Sequence, residues 1–227
     1  MTNDLIAELP EQLEPLRQLA EKMLVEGSHA TPQGIAIGHR PSVAPEYHAM
    51  FAFAGVSLEN VLQYETRFRL TIPASYKTQL TYINGFHAFE LSLFGIPASM
   101  MLGSPCLDRT QVGPLDISIA NQDWKRGYQV SPQLFHFGSG PLSVNEHVGY
   151  FLRPNSEGIY AYRRNGELFN SWGSMRDFLA DELRRAEGEF GKYEVLMRDV
   201  QGTELNPERT SIIRRIFDGR VSRKPRK

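Results

Sequence analysis

Cysteine is nearly missing from this chain: Cys106 is the single one among 227 residues. One thiol excludes an internal disulfide framework and suits a reducing compartment. Long apolar runs are missing too, and none approaches the roughly 20 residues that cross a bilayer. The opening Met1-Thr2-Asn3-Asp4 has neither a basic n-region nor an apolar h-region, so no secretory signal is expected and the expected location is cytoplasmic. What is present is a globular balance, 41% hydrophobic and 22% charged, enough to fill a core. The length fits one large domain, or one domain with extensions.

Motifs for chemistry are also scarce. The histidines are His29, His39, His48, His87, His136 and His147. None stands in H-E-x-x-H or in a cysteine–histidine cluster with zinc spacing. The nearest approach to a metal set is Glu146-His147 with His136 across Gly138-Ser139-Gly140-Pro141, which reads as a turn. Adjacent residues of a strand point to opposite faces, so Glu146 and His147 are not expected to converge. A Cys106–His87 nucleophile pair would need a lowered thiol pKa and proximity in space. Gly138-Ser139-Gly140 precedes Pro141 and a strand, which makes a poor phosphate cradle. No catalytic residue, metal or cofactor is expected.

Charge is divided unevenly. The chain carries −1, residues 214–227 carry +6, and residues 1–213 are left with −7. An acidic body can steer a basic partner, mainly through the on-rate, or can simply keep the domain soluble. The basic tail could release counterions from nucleic acid. It lacks interleaved aromatics, however, and a solvated tail is the commoner meaning of such a run. Nucleic acid is therefore not the expected partner.

Periodicity organises the rest. Leu13, Leu16, Leu19, Met23 and Leu24 predict an amphipathic helix over 11–26, ended by Gly27. Residues 27–45 read as a linker or a long surface loop, and Tyr47 to Ala54 as a short helix. Ser57 is placed to cap a helix with Leu58, Val61, Leu62 and Phe68 inward. Pro73 opens another helix with Tyr76, Leu80 and Ile83 buried, ended at Gly85. Phe89 to Phe94 alternates like a strand, and 95–114 is loop-like. Asp116 to Tyr128 predicts a helix. Gln133–Phe137, His147–Arg153, Gly158–Arg163 and Glu167–Asn170 predict an antiparallel meander with an Asn165-Gly166 turn. Ser174 with Asp177 caps a strong helix. A strand is expected at Tyr193 to Val200, and a last helix from Pro207. Helices, then strands, then a closing helix predict an α+β fold with a mostly antiparallel sheet packed against helices.

From Ser57 to Pro97 the order is helix, Ile72-Pro73 with Tyr76, helix, Asn84-Gly85, strand, Phe94-Gly95. Further on come Leu115-Asp116, Ala120-Asn121, Trp124, Phe135-His136-Phe137-Gly138, Tyr150-Phe151-Leu152, Ile159-Tyr160, Trp172-Gly173-Ser174 and Phe178-Leu179. In order and spacing this resembles the SUKH superfamily, the Smi/Knr-like fold of bacterial immunity proteins and fungal regulators of cell-wall synthesis. The resemblance covers residues 57 to about 185–190, leaving 1–56 and 191–227 as N- and C-terminal extensions. It departs from the pattern after Gly138, where many members carry an acidic, glycine-rich turn. The resemblance implies a non-catalytic protein-binding domain: an immunity protein that blocks a toxin, for which an acidic body suits a basic toxin, or a scaffold or regulatory adaptor. An enzyme or metal protein using Cys106, His136 or His147 is the third alternative. Trp124 and Tyr128 are the candidate partner-binding residues, since Trp and Tyr anchor interfaces, although core positions would explain them as well.

Overall fold

The structure, a computed structural model, describes residues 2–101 and 113–202, except 42, 45–46, 144–145, 155 and 157. Nine strands form one sheet in which each strand pairs antiparallel with the next in sequence. They are β1 (Ser28–Thr31), β2 (Gly34–His39), β3 (His48–Ala54), β4 (Ile83–Ala88), β5 (Leu91–Leu93), β6 (Phe135–Ser143), β7 (Glu146–Leu152), β8 (Ile159–Tyr162) and β9 (Leu168–Trp172). The helices are α1 (Thr2–Ala7), α2 (Glu14–Leu24), α3 (Leu58–Phe68), α4 (Ala74–Tyr82), α5 (Ile117–Gln122) and α6 (Met175–Gly202). The fold is α+β.

Alternation along the strands sorts the side chains between two faces. Met50, Ala52, Phe86, Leu93, Tyr150 and Ala161 join Leu16, Val61, Tyr76, Ile117 and Phe178 of the helices in one core. On the opposite face Tyr128, Leu134 and Phe151 form a second, smaller cluster. The helices thus cover one side of the sheet, and residues after α5 cover part of the other.

Several expectations need correction. Residues 27–45, read as a linker or loop, contain the β1–β2 hairpin, so the segment ahead of residue 57 supplies three strands to the common sheet. Tyr47 to Ala54, read as helical, holds β3. Its run is apolar almost throughout, because Met50 and Ala52 face the helices while Phe53 is buried on the other side, and the period is lost. Gly85 does not end a helix. It sits inside β4 at φ 81, where two residues of β4 oppose Phe53 of β3 in a bulge.

The Phe89–Phe94 strand is shorter than expected: Phe89 has a positive φ between β4 and β5, and only Leu91–Leu93 is extended. Asp116 to Tyr128 breaks into α5 and a 3-10 turn at Trp124–Gly127. Gly138-Ser139-Gly140-Pro141 is no turn but the middle of β6. Past Ser139 that strand has no register partner in β5, a setting that tolerates a proline.

The strand expected at Tyr193 to Val200 is the continuation of α6. Phe190 stacks on Tyr47 at 5.6 Å and lies 5.1 Å from Phe89, which carries the helix past Gly188. The helix expected from Pro207 and the basic tail lie outside the described residues. On α3 Leu58 and Leu62 are exposed rather than inward, and Tyr64 takes the buried place beside Val61.

Other expectations hold. The oxygen of Ser57 accepts from the Asn60 N–H at 3.2 Å, and that of Ser174 accepts from the Asp177 N–H at 3.1 Å. The Asn165-Gly166 turn closes with Arg163 N–H donating to Glu167 O at 2.9 Å.

Candidate binding groove

The widely spaced motif segments meet in a single lock. Tyr76, on the buried side of α4, donates its hydroxyl to Phe94 O at 2.6 Å, with Phe137 O at 3.3 Å. Asn84 and Ile96 bond reciprocally, side-chain amide to main chain, both at 2.8 Å. The Phe94 N–H in turn donates to Phe137 O at 2.9 Å. These bonds satisfy backbone groups that would otherwise be stranded in the core. Burial raises the Tyr76 pKa and keeps the phenol neutral.

The same α4 opens onto a groove of about 650 Å³. Residues 70–75 form one wall and residues 132–135 the other, with Asn121, Lys125 and Pro154 at its margin. Leu70, Pro73, Ala74, Pro132 and Pro154 make the accessible lining largely apolar, above a floor of buried Ile72, Leu134 and Phe135. Two lysines border it. Lys77 is paired with Glu65 at 2.9 Å. Lys125 instead donates to the carbonyls of Pro132 at 2.8 Å and Leu134 at 3.0 Å. Among the described residues it has no carboxylate partner, and burial pulls its pKa down. A half-buried ammonium held by neutral dipoles leaves part of its charge uncompensated.

Of the two candidate anchors, Trp124 is 40% exposed, with its ring edge-on to Phe94 at 5.4 Å. Tyr128 is only 9% exposed and is packed against His136 and Phe151 on the second face, so it is a core residue rather than a surface anchor. Sequence reasoning missed Lys125 and the groove. A cation directly after Trp124, in a segment that turns apolar at Leu134, was the available signal.

The residues weighed for chemistry do not converge. His136 is buried, stacked on Phe151 at 4.5 Å, with its Nδ1 3.3 Å from Ala120 O. His147 lies 3.9 Å from Glu90, whereas Glu146 pairs with Arg163 at 3.5 Å. No group of acids, histidines and cysteines suited to a metal occurs among the described residues. Cys106 lies outside them. His87, its proposed partner, has its Nε2 3.4 Å from Gly113 O and its Nδ1 2.8 Å from the Ser92 hydroxyl. A carbonyl can only accept, so the proton sits on Nε2 and Nδ1 accepts from Ser92. This is a directly paired cross-strand contact between β4 and β5.

His136 has a measurable consequence. Burial pushes its pKa down to about 4, against 6.5 in the unfolded chain. Below pH 6.5 the unfolded state gains a proton that the folded state refuses, so stability falls between pH 6.5 and about 4, by about 3 kcal/mol in total. His136→Phe keeps the ring and removes the titration. Urea unfolding at pH 7.5 and pH 4.5 is expected to show a smaller pH difference for this variant. An unchanged difference would contradict the assignment.

No protein-family model matches the chain, and no curated protein matches it significantly. Among the described residues no helix is long and apolar enough to cross a membrane.

Proposed function

We propose that this chain is a non-catalytic protein-binding domain of the SUKH type, acting as an immunity protein that neutralises a toxin by covering its active surface. What supports this reading is the use made of the motif residues. Tyr76, Phe94 and Phe137, from separate parts of the pattern, hold one another in the core, and Asn84 holds Ile96 beside them. Residues spent on a scaffold leave recognition to the surface, where different members of a fold can serve different partners. The groove beside the lock, apolar within and polar at its margin, has the anatomy of an interface patch. The −7 carried by residues 1–213 would speed the approach of a basic partner.

The test is to mix the purified chain with a toxin domain encoded beside its gene. A stoichiometric complex and loss of toxicity are expected, with association slowing about tenfold or more from low to high salt. No complex and no protection would remove the reading. Salt-independent association would remove its electrostatic part alone.

The Ser92–His87 contact favours one second reading, a serine nucleophile with a histidine base. A fluorophosphonate probe decides it. Labelling that disappears in Ser92→Ala would establish the nucleophile, and the protein-binding reading expects no labelling.

A further inference from the structure

The groove contains a cation whose counter-ion is missing among the described residues, and this limits what can fill it. We infer that it takes an extended, apolar segment of a partner protein carrying a carboxylate, with the carboxylate set against Lys125. The inference rests on the protein-binding reading and adds the partner's local chemistry to it.

Three observations carry it. The accessible lining supplies Leu70, Pro73, Ala74, Pro132 and Pro154 for apolar contacts, and its volume of about 650 Å³ suits a short segment rather than a whole domain. Lys125 is fixed by two carbonyls, so its ammonium is already ordered before a ligand arrives. Lys77 is matched by Glu65, whereas Lys125 has no carboxylate partner among the described residues and is the charge that an incoming anion would balance. A charge-assisted bond there gains strength from the apolar surroundings.

The sign of the groove also disfavours the basic tail as its occupant. Residues 214–227 carry +6 and would be repelled by Lys125. A nucleic-acid backbone would match the sign, but one cation in an apolar trough, without a carboxylate partner among the described residues, offers little to a row of phosphates. Because residues 1–213 carry −7, a basic partner presenting one acidic, apolar segment satisfies both fields and is held in one orientation.

The probe is a blocked Leu-Pro-Glu-Leu-Pro-Glu peptide, titrated into the ¹⁵N-labelled full chain. A Gln-for-Glu copy and a single-stranded oligonucleotide serve as comparisons. Saturable shifts are expected at Thr71, Ser75, Asn121 and Gln133, with the Gln copy about tenfold weaker. The Lys125 ammonium, followed by ¹³C NMR at Cε, should show its pKa rising when the Glu peptide binds. Lys125→Gln should erase the preference for Glu. Ser75→Trp, at an exposed position of the groove wall, should abolish binding while leaving the spectrum of a folded protein.

Absence of saturable shifts would overturn the inference. So would equal binding of the Gln copy, or stronger binding of the oligonucleotide at the same residues. If a toxin complex forms with unchanged affinity in Ser75→Trp, the groove assignment fails while the protein-binding function stands. If wild type forms no such complex yet binds the Glu peptide as described, the toxin assignment fails and the groove chemistry stands.

Discussion

Glu182→Ala is expected to lower the stability of the folded chain by about 3–5 kcal/mol, measured by urea unfolding at neutral pH. Glu182 is 2% exposed on α6, where it accepts from the Tyr150 hydroxyl and from the Arg185 guanidinium. Arg185 also donates to Pro141 O and to the Tyr150 hydroxyl, at 3.0 Å in the latter case. The cluster therefore joins α6 to β6 and β7 through charge-assisted bonds. Burial works most strongly against the Arg185 charge, yet the bonds and charges of Glu182 and Tyr150 together outweigh it and raise the arginine pKa. Burial, then the Glu182 charge, raises that of Tyr150.

Removing the carboxylate leaves a largely buried guanidinium unmatched and a phenol without its acceptor. Replacing the charged pair together, as Glu182→Leu with Arg185→Met, should restore much of the loss, because no charge is then left uncompensated. A loss below about 1 kcal/mol in Glu182→Ala would mean that the cluster contributes nothing specific.

Gly85→Ala is expected to cost about 2–4 kcal/mol. The backbone there stands at φ 81, and an added Cβ would come 2.5 Å from Leu93 O and 3.1 Å from the Phe94 carbonyl carbon. Strain and overlap thus act together, at the bulge that β4 makes against β3 and where its backbone lies close to Leu93 and Phe94. Gly173→Ala is the control, since a Cβ at Gly173 meets nothing within 4 Å. Its unfolding midpoint should stay close to that of the wild type. Equal midpoints for the two variants would contradict the bulge as a fixed feature.

What the sequence made legible follows from how local each signal is. Caps are local: Ser57 and Ser174 each bond an amide three residues on, and both were readable. The β7–β9 meander was readable because its short aromatic and β-branched runs and the Asn165-Gly166 turn lie within a few residues of one another. β3 was not, because a strand buried on both faces loses its period. β1 and β2 were hidden by Gly, Pro and Ser/Thr content, although Ile35 and Ile37 are 1% and 0% exposed against α2 and its neighbours. The end of α6 was misread because its continuation depends on Phe190 meeting Tyr47 and Phe89, contacts with no trace in the local pattern. Glu182 and Arg185 look like ordinary charges on a helix until β6 and β7 close over them. The groove was invisible for the same reason, since residues 70–75 and 132–135 become neighbours only in the fold.

The sharpest single measurement uses two adjacent residues of α4, Ser75 in the groove wall and Tyr76 in the core. Stability and affinity for the Glu-containing peptide are measured on Ser75→Trp and Tyr76→Phe. Tyr76→Phe should lose about 1–3 kcal/mol of stability and bind within about twofold of wild type. Ser75→Trp should keep its stability within about 0.5 kcal/mol and lose binding by about tenfold or more. If Tyr76→Phe lost binding at unchanged stability, or Ser75→Trp bound like wild type, the division between a buried lock and a recognising surface would be wrong.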